Sequence, residues 1–283
     1  EGTQAYNVPI VIVLNPKVDL KKLEKAIQEV VQRHEILRTV IVDFHQKVLN
    51  TQVKITHQPI KNSDYFSYEF ELDREIPIRV NIYQHVLTFN IHHIAFDGWS
   101  TNLLLGEIAK LYHGEKLPDM DLQYKDFATW QRKVQTNETL KEQKAYWIDQ
   151  LADYEELDFP TDFARPREFD YKGKEYTYEL DEALITKLKE LAQTEKTSLF
   201  SVTLSAFMIL LSTYSNQKNV VVGTPIANRH IKGTEELIGF FVNTLALSAN
   251  VAPELTINEF IRLNSEQVIN AQKYQDLPFE NIV

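Results

Sequence analysis

Val86, Leu87, Thr88, Phe89, Asn90, Ile91, His92 and His93 run directly into Ile94, Ala95, Phe96, Asp97 and Gly98. The first eight residues alternate, and successive side chains of a strand point to opposite faces. His92 therefore shares a face with Thr88 and Asn90, and His93 shares one with Leu87, Phe89 and Ile91. Two imidazoles on opposite faces do not converge on one atom, and no further ligand cluster is close in sequence, so no metal site is expected. His93 is the better candidate for chemistry, because a neutral imidazole at the end of an apolar face can accept a proton from an attacking amine or hydroxyl. Asp97 lies past the expected strand end and precedes Gly98, a residue suited to a tight turn that a side chain would obstruct. Its carboxylate could orient the imidazole, or be neutralised by an arginine and fix the loop. The same spacing also fits a strand that merely ends in two histidines and an Asp-Gly turn.

Working outward, Asn7 to Leu14 reads as a strand closed by Asn15 and Pro16. From Asp19, placed as a cap, Leu20, Leu23, Ile27, Val30 and Val31 recur at helical spacing. Val40 to Val42, Val53 to Thr56 and Ile78 to Tyr83 read as strands, His85 to Ile91 as a stronger one. Leu103, Leu104, Ile108 and Leu111 describe a helix stopped at Gly114, which suits the left-handed position past a helix end. Helices are expected over Phe127 to Val134 and Leu140 to Leu151, then a proline-containing connector over Phe159 to Pro166. A second cycle follows: strand Glu175 to Leu180, helices Glu182 to Ala192 and Leu199 to Tyr214, strands Val220 to Val222 and Val242 to Ser248, and helix Ile257 to Ala271. This order favours a mixed α/β fold of two lobes, divided as residues 1–160 and 161–283.

Composition narrows the functional classes. With 30 Lys plus Arg against 40 Asp plus Glu the formal charge is −10, and no basic cluster stands out, so nucleic acid is not an expected partner. No apolar run approaches the roughly 20 residues that span a bilayer, and Glu1, Gly2, Thr3, Gln4 carry no signal-peptide pattern. A cytoplasmic protein without membrane partners is expected. The absence of cysteine excludes disulfides, thiolate metal sites and a thiol nucleophile within the chain. Any thioester sulfur must arrive on a partner.

The run His92, His93, Ile94, Ala95, Phe96, Asp97, Gly98, Trp99, Ser100 resembles the HHxxxDGxS signature of condensation domains of nonribosomal peptide synthetases, relatives of chloramphenicol acetyltransferase. Further runs resemble that family's motifs in its order: Arg33 to Thr39 is similar to RHExLRT, Tyr124 to Gln131 to YxDFAxWQ, and Gly223 to Arg229 to GTPxAxR. Ile238 to Leu245 and Gln275 to Glu280 are similar to IGFFVNTL and QDLPFE. Singly, each has a plainer explanation: Trp130 and Phe127 fill a core, Arg33 caps a helix, Pro278 starts a turn. Their joint order has none.

The resemblance implies two chloramphenicol acetyltransferase-like lobes in a V-shaped pseudodimer, incomplete at the termini, the second lobe truncated. It implies amide formation between a donor acyl or peptidyl thioester and the amine of an acceptor aminoacyl thioester. Both would arrive on phosphopantetheine arms of peptidyl carrier proteins, beside an adenylation domain, with no cofactor or metal bound here. His93, Asp97 and Gly98 would be the catalytic residues, and His92, Arg38, Arg229, Trp99 and Ser100 would support them. His93 would position the amine and handle its proton. Asp97 would pair with Arg229 or Arg38, and Gly98 would leave the approach to the thioester open. The alternatives are an epimerization domain, which shares the signature but acts on a stereocentre, and a non-catalytic recruitment domain on the same fold.

Overall fold

The Asp19 carboxylate accepts hydrogen bonds from the Lys21 and Lys22 amides, and this starts helix α1, Leu20–Arg33. Leu23, Ala26, Ile27, Val30 and Val31 form its buried stripe. The computed structural model describes residues 4–60, 65–134, 138–167 and 173–282. Glu1, Gly2 and Thr3, read above for a signal pattern, lie outside the described residues.

Two units are distinguished, Glu1–Val134 with Ala227–Val242, and Gln135–Ile226 with Asn243–Val283. The first unit is built on strands β1 (Asn7–Val13), β2 (Thr39–Val42), β3 (His45–Val48), β4 (Ile55–Thr56), β5 (Ile78–Tyr83) and β6 (Val86–His92). Strands β1, β6, β5 and β4 form a four-stranded sheet in that order, antiparallel except for the parallel β4–β5 pair. Strand β6 lies between β1 and β5, so Leu87, Phe89 and Ile91 are buried together with α1 and helix α2, Gly98–Tyr112. Each such side chain contributes about 1.5–3 kcal/mol when fully buried. A slip of one residue would turn all of them to the opposite face, so this core also fixes the register that places His92 opposite Asn7. Helix α2 ends as expected at Gly114, which has φ +82°. Helix α3, Tyr124–Val134, follows in this unit.

The second unit holds helices α4 (Glu138–Gln150), α5 (Glu182–Thr194) and α6 (Leu199–Ser215), strands β7 (Asn219–Ile226) and β8 (Asn243–Asn250), and helix α7, Ile257–Lys273. Strands β7 and β8 form an antiparallel ribbon. Helix α7 starts with a capping box in which Thr256 and Glu259 satisfy each other's backbone.

Two expectations need correction, and one strand was not anticipated. Glu175 to Leu180 pairs with no strand among the described residues, and Tyr176 and Tyr178 are 88% and 73% exposed. The alternating pattern is present, but a strand needs a ladder partner. Near Val53 only Ile55–Thr56 is strand. Strand β3 was not anticipated because His45, Gln46 and Lys47 are polar. It exists because Asp43 and Phe44 both adopt positive φ (49° and 62°), the geometry of a tight hairpin turn, so backbone conformation rather than apolar patterning creates it. No single helix among the described residues is long and apolar enough to cross a membrane.

Candidate active site

Strand β6 is buried on both faces, so its polar residues need partners inside the protein. Asn90 Nδ2 donates to the Tyr65 carbonyl at 2.8 Å, and Asn7, beside His92, donates to the Phe66 and Tyr68 carbonyls. His92 packs among aromatic rings, 5.8 Å from Phe70 and 6.1 Å from Tyr6. Its Nδ1 accepts the Ile94 amide at 3.1 Å and so caps the short 3-10 turn His93–Ala95. Burial, and then the neighbouring His93, hold the His92 ring below the usual histidine range. His92 is thus a neutral cap beneath the turn that presents His93.

The strand runs to His92, one residue beyond the expected end at Ile91, but the alternation does not carry on to His93. His93 is the first residue of the 3-10 turn and does not continue the Leu87, Phe89, Ile91 face. Its ring is partly buried, with Nδ1 enclosed and without a partner among the described residues, and lies nearly perpendicular to the Phe240 ring.

Asp97 is the N-cap of α2 and is fully shielded from solvent. Its Oδ1 accepts from the Ser100 amide (2.9 Å) and hydroxyl (2.7 Å), and its Oδ2 accepts from the Phe241 amide (3.1 Å). Arg229 Nη2 reaches both carboxylate oxygens, at 2.9 and 3.0 Å, while Nη1 donates to the Thr234 and Leu237 carbonyls. One nitrogen straddles the carboxylate here, instead of the two-nitrogen fork that arginine often makes. The guanidinium also lies 4.1 Å from the centre of the Phe241 ring. Burial pulls Arg229 down from its ordinary pKa, and the Asp97 carboxylate opposes that shift.

Ser100 joins this pair to a distant loop. Its hydroxyl lies 2.7 Å from Asp97 and 3.1 Å from the Gly239 carbonyl, and accepts from the Gly239 amide and Arg229. A Cβ at Gly239 would overlap the Tyr124 ring, so only glycine fits there. Burial, and then the Asp97 charge, push the Tyr124 phenol up to about 12, which keeps it a donor to the Phe240 carbonyl at 2.8 Å. Sequence reasoning missed Gly239, Phe240 and Tyr124 as parts of this cluster, although all three lie in recognised motifs.

The other expected site residues are placed as follows. Arg38 is not brought to Asp97; it donates to the Leu49 and Gln32 carbonyls and braces the start of the β2–β3 hairpin. Gly98 is the first helical residue of α2, and nothing lies within 4 Å of where its Cβ would be, so no turn demands glycine there and the position borders open space. Trp99 is 47% exposed and donates from Nε1 to the Glu235 carbonyl.

The remaining motifs explain one another. His34 Nε2 lies 2.8 Å from Glu107 of α2, and Arg33 reaches the other oxygen of the same carboxylate. Burial raises the Glu107 pKa, but His34 and Arg33 together bring it below the usual range. Gln123, just before Tyr124, donates to the Arg33 carbonyl and accepts from the Glu35 amide. In the second unit Asn243 donates to the Gln275 and Leu277 carbonyls and accepts from the Phe279 amide, which ties the IGFFVNTL run to QDLPFE. Among the described residues no group of three His, Cys, Asp or Glu side chains could hold a metal ion.

The condensation-domain family model matches residues 1–283. This chain belongs to the condensation-domain family. It is 35% identical to tyrocidine synthase 2 of Brevibacillus parabrevis over 99% of the chain and 8% of that protein. It is equally similar, at 35%, to N-(5-amino-5-carboxypentanoyl)-L-cysteinyl-D-valine synthase of Amycolatopsis lactamdurans, over 100% of the chain and 8% of that protein. The domain therefore spans less than a tenth of the length of these curated relatives. Among solved structures, the X-domain from teicoplanin biosynthesis in complex with OxyB superposes with a TM-score of 0.89 at 24% identity, covering 100% of this chain and 68% of that one. The four-domain nonribosomal peptide synthetase holo-AB3403, bound to AMP and glycine, gives 0.86 at 23%, covering 100% of this chain and 23% of that one. The mixed α/β fold is that of condensation domains, as the motifs implied.

Proposed function

We propose that this condensation domain forms an amide between two thioester-borne substrates, with His93 as the group that handles the proton. The observation that carries this reading is the placement of His93. It leaves the buried strand on a short turn that is capped from below by His92 and followed immediately by the Asp97 anchor. The anchor is fully hydrogen-bonded, so Asp97 acts on the shape of the loop and not as a second proton carrier.

In the reaction the acceptor amine attacks the donor thioester carbonyl. The new C–N bond forms, the C–S bond breaks, the amine proton passes to the His93 imidazole and the departing thiolate is protonated in turn. No acyl group is attached to the domain, in keeping with the absence of cysteine. An α-amino group has a reference pKa of about 7.7–8.0, so much of it is already neutral near neutral pH and strong base catalysis is not required. Holding amine and carbonyl in line is worth about 7–11 kcal/mol, which makes positioning the larger contribution. Gly98, with open space beside it, leaves room for the approaching thioester. The substrates would arrive on phosphopantetheine arms of donor and acceptor carrier proteins within a cytoplasmic synthetase that also carries an adenylation domain. The multidomain relatives support this arrangement.

A recruitment role is the second reading, favoured by the fold's likeness to an X-domain solved with OxyB. Intact-mass spectrometry separates the two. With two loaded carrier proteins, amide formation yields a dipeptidyl acceptor carrier and an unloaded donor. Carrier binding with both carriers left in their starting masses would overturn the catalytic reading.

A further inference from the structure

The orientation of a catalytic imidazole is commonly set by a hydrogen bond to the ring nitrogen that does not touch substrate. In His93, Nδ1 is buried and has no hydrogen-bond partner among the described residues. The imidazole does, however, pack against an aromatic ring, that of Phe240. The Phe240 and His93 centroids are 5.2 Å apart and their planes meet at 89°, an edge-to-face pair.

Phe240 is held by its backbone, not by burial of its side chain. The preceding residue, Gly239, is fastened through both its amide and its carbonyl to Ser100. The Phe240 carbonyl accepts from Tyr124, and the next amide, of Phe241, donates to Asp97. Phe241 is itself buried against Phe127 and Tyr124, with ring centroids 4.6 and 5.2 Å away. The Phe240 side chain, by contrast, is 41% exposed, so it is not a core residue. A rigid backbone thus presents a partly solvated aromatic ring to the one histidine that the reaction uses.

We infer that Phe240 is a positioning residue for amide formation, its ring setting the orientation of the His93 imidazole. This rests on the reading of His93 as the proton-handling group. An edge-to-face pair biases the orientation of a ring by roughly twofold to tenfold, which sets the size of the expected effect.

The test compares Phe240→Leu, Phe240→Met, Phe240→Tyr and His93→Ala in single-turnover condensation with two loaded carriers, together with NMR of the histidine Cε1–H resonances. The His93 resonance is assigned by its loss in His93→Ala. The leucine and methionine variants are expected to condense roughly threefold to tenfold more slowly at saturating carriers, with unchanged KM for either carrier. The tyrosine variant, which keeps the ring, stays within about twofold of the parent. The His93 resonance moves in the leucine and methionine variants and stays in place in the tyrosine variant, because the ring current is lost only in the first two. Parental rates and an unmoved resonance in folded Phe240→Leu and Phe240→Met, while His93→Ala is impaired, would overturn the positioning role and leave the catalytic reading standing. A parental rate in His93→Ala itself would remove the catalytic reading, and this inference with it.

Discussion

Arg229 Nη2 lies 2.9 Å from one carboxylate oxygen of Asp97 and 3.0 Å from the other, although 132 residues of chain separate the two. Both side chains are almost wholly shielded, at 2% and 0% exposure. A buried pair of this kind is not in itself strong evidence of net stability, because desolvating two ions is costly. What makes it tolerable is that Ser100 and the Phe241 amide also satisfy the carboxylate, and the Thr234 and Leu237 carbonyls take Nη1 of the guanidinium, although its Nε is buried without a partner among the described residues. The pair closes the loop Ala227–Val242 onto the start of α2.

Removing one member strands the other. Arg229→Ala and Asp97→Ala are each expected to cost about 3–5 kcal/mol, because an uncompensated buried charge remains. Denaturant unfolding of the two single variants and the double variant checks this. Coupling of at least about 0.5 kcal/mol is expected of contacting residues, and strictly additive losses would show that the pair contributes nothing as a pair. Arg38→Ala, which removes a guanidinium that donates to the Leu49 and Gln32 carbonyls, should show no coupling to Asp97.

Gly239→Ala puts a methyl group into the Tyr124 ring. Overpacking of this order costs about 1–3 kcal/mol. Condensation should fall as well, since Tyr124 and Ser100 both hold that segment. Adding Tyr124→Leu to Gly239→Ala should recover part of the melting temperature by clearing space. No recovery would mean that crowding is not the cause of the loss.

His92 gives a pH dependence of known sign. Its folded pKa is depressed below the ordinary 6.5, chiefly by burial, so the unfolded chain binds the proton more readily. Stability is full above pH 6.5 and declines as the pH falls below it, because the unfolded state takes up a proton that the folded state resists. His92→Asn keeps an acceptor for the Ile94 amide without a titrating ring. The unfolding free energy of the parent minus that of the variant should therefore drop on acidification from pH 7 to pH 5.5. A flat difference would mean that His92 titrates normally.

Glu107 gives an acid-side counterpart. Its pKa is lowered below 4.5, because the bonds and charges from His34 and Arg33 outweigh the burial that raises it. Its contribution is present above pH 4.5 and is lost as the pH falls through the lowered folded value. Glu107→Gln should cost about 1–3 kcal/mol at pH 7 by weakening a buried hydrogen-bonded group. It should also flatten the acid limb of the stability profile. An unchanged acid limb would remove Glu107 from the acid response.

Much of this architecture was legible in the sequence, and the exceptions have physical causes. Helix α1, strand β6 and the stop at Gly114 were readable because a cap, an alternation and a left-handed glycine are local signals. The pairing of Asp97 with an arginine was expected, but the choice between Arg229 and Arg38 required the loop that returns more than a hundred residues later. Glu107 as the partner of His34, and Phe240 as the neighbour of His93, carry no local pattern because both are contacts between distant segments. Strand β3 was hidden by its polar residues, whereas Glu175 to Leu180 has the right pattern and no partner among the described residues.

The central claim is that His93 handles the proton of amide formation. The direct measurement is the rate at which the dipeptidyl acceptor carrier appears, by intact mass, for the parent and for His93→Ala, with both loaded carriers saturating. The parent should form the product, and His93→Ala should form it at least about tenfold to a hundredfold more slowly with an unchanged melting temperature, in the range or somewhat below what a positioned proton-transfer group supplies. Formation of the dipeptidyl carrier by a folded His93→Ala variant at the parental rate would contradict the account.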